Sequence, residues 1–172
     1  MLKLAMLPLL VLTVAAVPVP TGSDDTAYIR SYMQGPVNDA TNRLWAVGNA
    51  AMDDEGGIDP ARMTDPDWDE LVHSADLLEV SASKLADAPT IRAAMPGHER
   101  DVQPGAYSMK DVQAYFDADP QAFRIMARKL AEHAAKISAA AKAREGKQAG
   151  LLVGELDQLC ESCHAKYWYP QG

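Results

Sequence analysis

Apolar residues return at three- and four-residue steps along most of this chain, the period of a helix face turned to a core. The first stripe is Ile29, Met33, Val37, Ala40, Leu44, Val47 and Ala51. Ser23-Asp24-Asp25 can cap this first helical region, which runs to about residue 52. Gly35-Pro36 interrupts it, because proline inside a helix removes a hydrogen bond and clashes one turn back. Either the helix kinks there or its regular part begins at Pro36. A second stripe is Trp68, Leu71, Val72, Ala75, Leu78, Ala82 and Leu85. Asp65-Pro66 opens it, with the aspartate read as cap and the proline in the first turn.

Residues 88–107 are rich in proline and glycine and read as a long connection. A short helix is predicted over 109–117, because Ser108 and Asp111 have the spacing of a capping box. Asp119-Pro120 starts another long helix, with Phe123, Ala127, Leu130, Ala134, Ile137 and Ala141 inward. Gly146 marks a break. The last helix carries Leu152, Leu156, Leu159, Cys163 and Tyr167 on one side. Four long amphipathic helices with no convincing strand predict an all-α fold, a four-helix bundle.

That last stripe runs into the only two cysteines of the chain, in Cys160-Glu161-Ser162-Cys163-His164. C-x-x-C-H is the spacing of covalent, c-type haem attachment. On a helix, residues three and four apart share a face. Both thiols can therefore meet one porphyrin edge while the imidazole points at the iron, and histidine is a common haem-iron ligand. A thiol–disulfide redox motif wants a βαβ context, which is missing here. A zinc site needs about four ligands, and these residues supply three at best. A structural disulfide would leave His164 unexplained.

Residues 1–16 have one early charge, Lys3, then an apolar run and small residues. They read as a secretory signal peptide, too short for a convincing membrane span, with Val14-Ala15-Ala16 as the cleavage site. An uncleaved anchor is the alternative. Export to the periplasm suits thiol chemistry in an oxidising compartment. Residues 17–172 then form one domain large enough for a real core. The net charge of −8 argues against nucleic acid as a partner and permits a basic redox partner.

With C-x-x-C-H on its last helix, the chain resembles the class II cytochromes c, the cytochrome c′ group and its low-spin relatives. The resemblance covers nearly all of residues 17–172. It is carried by residues 160–164, the aromatic tail Tyr167-Trp168-Tyr169-Pro170, the stretch 33–45 and Met95-Pro96-Gly97. It implies one covalent haem c on Cys160 and Cys163, with His164 on the iron. It also implies that the first helix faces the other side of the haem, where low-spin members offer a methionine. Met33 stands about there, on the inward stripe; its alternative is core packing. Arg30, one turn earlier, can pair with a haem propionate through forked hydrogen bonds, or be a solvated surface arginine.

The resemblance implies electron transfer through a closed His/Met site. Its alternative is gas binding, of NO or CO, at a five-coordinate iron. It further implies a homodimer and an unknown redox partner protein. An enzyme such as a peroxidase is not expected, because there is no well-placed distal His/Arg pair. His98 is a weaker candidate ligand, in a charged and exposed loop. His73 and His133 read as surface or rim residues, and Trp45 and Trp68 as core.

Overall fold

The computed structural model describes residues 25–170. The expected signal peptide, and Ser23 and Asp24 of the expected first cap, lie outside the described residues. In chain order the elements are β1 (Thr26–Tyr28), α1 (Ile29–Gln34), α2 (Pro36–Ala50), a 3-10 turn (Pro60–Arg62), α3 (Asp65–Asp87), β2 (Thr90–Arg92), α4 (Met109–Ala118), α5 (Pro120–Lys142) and α6 (Gly146–Tyr167). The described chain is thus mostly helical, with one small sheet.

The sheet corrects the expectation of no strand. β1 and β2 pair in parallel, with Ala27 opposite Ile91 and both side chains buried. Three-residue strands are too short to display the two-residue alternation by which strands are read. Their pairing is a tertiary event, and it delays the first helix to Ile29. The break at Gly35-Pro36 is real. α1 ends at Gln34, and Pro36 opens α2, where its missing N–H costs nothing.

Thr64, not Asp65, caps α3. The Thr64 hydroxyl accepts from the Asp67 N–H at 3.4 Å, and the Thr64 N–H donates back to Asp67 Oδ2 at 2.8 Å. This is a capping box with aspartate in the place of the usual glutamate. Ser108 and Asp119 cap α4 and α5 as expected.

α3 packs most extensively on α5. α2 lies against α3 and α6, and α5 against α6. Leu44, Leu71, Leu78, Leu85, Ile137 and Leu156 meet in the centre and are fully buried. Most of the expected stripes face inward here. Met33, Val47, Val72, Leu130, Leu159 and Cys163 reach only half burial.

The turn after α2 lies directly on the start of α6. The Ile58 N–H donates to the Gly146 carbonyl at 3.0 Å. A Cβ on Gly150 would stand 2.5 Å from the backbone of Gly57 and Ile58. The obstacle is main chain, so no side-chain rotation can relieve it. Gly150→Val is therefore expected to cost about 3 kcal/mol. At roughly 2–4 °C per kcal/mol for a chain of this size, that is a clear fall in Tm by circular dichroism. An unchanged Tm would contradict the close approach.

Candidate functional site

The last two turns of α6 carry Cys160, Cys163 and His164, all half-buried. Both cysteines are free thiols. Burial pushes the Cys160 thiol up, helped by the charges of Asp157 and Glu161. It pushes Cys163 up to about 11. Both are therefore neutral at physiological pH. The ring of His164 stands edge-on to Tyr169, with centroids 6.0 Å apart. Its Nδ1 is 3.9 Å from Glu161 Oε1, too far for a hydrogen bond.

Two cavities meet at this end of α6. The first, of about 310 Å³, opens between α1, α4, α5 and α6. Its walls include Arg30, Met33, Val112, Phe116 and Tyr167. The second, of about 280 Å³, lies between α1, α2, α3, α5 and α6, with Val37, Leu85, Met126, Leu130, Leu159 and Cys160. Four residues line both: Met33, Phe123, Cys163 and His164. The half burial of Leu130, Leu159 and Cys163 follows, since each fronts a cavity rather than a packed neighbour.

The break at Gly35 leaves Met33 in the last turn of α1, facing these cavities. Arg30 lines the first cavity too, but its carboxylate partner is Asp101 of the 93–108 connection. Arg30 Nη1 donates to Asp101 Oδ2 at 2.6 Å, and His98 Nδ1 is 3.0 Å from the same oxygen. The hydrogen bond to His98, with the Arg30 charge, holds the Asp101 carboxyl below the usual carboxylate range. His98 is exposed and lines neither of these two cavities. The connection is fastened at its far end by the Tyr107 N–H, which donates to the Trp168 carbonyl at 2.9 Å.

His133 corrects the expectation of a rim residue. It is buried, and its Nε2 lies 2.7 Å from the Leu152 carbonyl. A carbonyl only accepts, so Nε2 carries the proton and ties α5 to α6. His73 is exposed, Trp68 is buried and Trp45 is half-buried. Three wall residues escaped the sequence as parts of a site: Phe116, Gln103 and the hydroxyl of Tyr167. Phe116 shares a face of α4 with Met109 and Val112, which was the available signal. Gln103 sits in a connection and gave none.

Among the described residues no group of three or more His, Cys, Asp or Glu could hold a metal ion directly. That bears on bare ions, because a porphyrin supplies four of its iron's ligands and leaves only one or two for side chains. The donor set fits such a group. An imidazole and a thioether come from different helices to the same apolar space, with two thiols beside them. Tyr167 adds a buried hydroxyl with no hydrogen-bond partner among the described residues.

No family model matches this chain, and no curated protein or solved structure matches it either. The functional reading therefore stands on the motif and on this geometry.

Proposed function

We propose that this chain is an exported c-type cytochrome of the class II kind, a four-helix bundle around one haem bound covalently to Cys160 and Cys163. Within that class the reading is an electron carrier whose haem iron would be bound by His164 and Met33. The observation that carries it is the sharing of both cavities by Met33, Cys163 and His164. α1 and the end of α6 are far apart in sequence. Met33 nevertheless lines the space that the C-x-x-C-H face borders, and its thioether is of the soft donor type that suits haem iron.

A bound haem would supply an iron that cycles between ferric and ferrous. The protein's part is to hold it and tune it. The Cys160 and Cys163 sulfurs would hold the haem covalently. His164 would bind the iron through an imidazole nitrogen. The Met33 thioether would bind it as well and, as a soft ligand, would favour ferrous iron and raise the reduction potential. Phe116, Phe123 and Leu130 wall the space with apolar surface and limit access of water. With both Met33 and His164 on the iron, no coordination position would be open to a substrate, so no enzymatic activity is proposed. The acidic chain suits a basic redox partner, whose encounter would be steered by charge and weakened by salt.

The test is the visible spectrum of the purified ferrous protein with and without carbon monoxide. A closed His/Met site leaves the spectrum essentially unchanged on mixing. Immediate formation of a carbon monoxide complex would replace this reading with the five-coordinate, gas-binding one.

A further inference from the structure

Tyr167 lies three residues beyond His164, on the wall of the first cavity. It is only 4% exposed, yet its hydroxyl has no hydrogen-bond partner among the described residues. Buried hydroxyls are nearly always satisfied, so this one is expected to meet an acceptor or donor that enters the cavity. The ring is not free to seek solvent instead. It packs against Phe116 and Phe123 with centroids 5.2 Å and 6.0 Å away, and Lys166 Nζ lies 5.3 Å from its centroid.

The two cavities differ in a way that gives the ligand a direction. Cys160 lines only the second, beside Leu85, Leu130 and Leu159. The first holds Arg30, Gln103 and Tyr167. In a haem, the vinyl groups that take up cysteine sulfur sit on one side of the porphyrin and the two propionates on the other. A vinyl edge at Cys160 therefore turns the carboxylate edge towards the first, more polar cavity.

We propose that Tyr167 donates its hydroxyl hydrogen bond to a haem propionate, and so both orients the haem and tunes its potential. This rests on the covalent-haem reading above. A carboxylate only accepts, so the phenol must be the donor. It is held in the donor form, since burial, helped by the charge of Asp119, pushes the phenol up. Tyr167 acts as a positioning residue, because it touches the propionate and not the iron. A hydrogen bond that offsets carboxylate charge near the iron disfavours the ferric form, so its loss should lower the reduction potential.

The experiment compares Tyr167→Phe with wild type as purified holoproteins. Phenylalanine keeps the ring contacts with Phe116 and Phe123. Tyr115→Phe is the control, because its hydroxyl is already bonded to Tyr107 at 3.0 Å. Resonance Raman of the propionate bending mode and the reduction potential are both read. Tyr167→Phe should hold the full complement of covalent haem, shift the propionate band and lower the potential. Tyr115→Phe should change neither. In the wild type alone, transfer to D2O should move the same band, which keeps the test open if Tyr167→Phe folds poorly. A propionate band unmoved by D2O, or unmoved by Tyr167→Phe with haem bound, would overturn the proposal. Wild-type protein without covalent haem would instead overturn the reading on which it rests.

Discussion

Replacing Cys160 and Cys163 together with alanine should leave protein that loses all of its haem to acid–acetone, while the wild type stays red. The two thioethers are the only covalent links available, since the chain has no other cysteine. His164 alone would hold haem reversibly. The stability effect should also be large. A cofactor that binds only the folded state stabilises it by about 4 kcal/mol at a thousand times its Kd. Covalent attachment adds a high effective concentration. Against roughly 2–4 °C per kcal/mol, the double variant should melt about 10 °C or more below the holoprotein. Retention of haem after extraction, or an unchanged melting curve, would count against attachment at these residues.

Met33→Ala should convert a closed site into an open one. The wild type is expected to be low-spin, with the weak long-wavelength band of sulfur-to-iron charge transfer in its oxidised form. The variant should lose that band, become high-spin and take up carbon monoxide at once. If the methionine is bound 99% of the time, removing it raises apparent ligand affinity about 100-fold. The reduction potential should fall, because the ligand that favoured ferrous iron has gone. The fold should survive. Met33 is half-buried at the end of a short helix, so its loss belongs near about 2 kcal/mol, the low end for methionine truncation. Met126→Ala is the matched control, as Met126 lines the second cavity but not the first. An effect of Met126→Ala equal to that of Met33→Ala would point to packing rather than ligation.

Much of the helical framework was legible in the sequence, because its causes are local. The stripes of α3 and α5, Pro36 and Pro120 at helix starts, and the caps Ser108 and Asp119 all act within a few residues. The misses share a different cause. Thr64 was passed over because the aspartate beside it is an equally good cap, and only the reciprocal bond with Asp67 decides. β1 and β2 exist because α3 returns the chain to its start, and three residues hold no period of their own. His133 is buried by a neighbouring helix rather than by its own stripe. At the site, Cys160, Cys163 and His164 were visible because their chemistry is written in consecutive turns. That Arg30 meets Asp101, that Met33 lines a cavity with both cysteines, and that the Tyr167 hydroxyl is stranded among the described residues are facts of long-range packing.

The claim on which the rest depends is covalent haem at the end of α6. It is tested most directly by the intact mass of the wild-type polypeptide, made with the haem-attachment machinery and denatured before measurement. The account predicts a mass raised by one haem, with the addition mapped by proteolysis to the peptide holding Cys160 and Cys163. A polypeptide at its plain sequence mass, with two free thiols or one disulfide there, would contradict it.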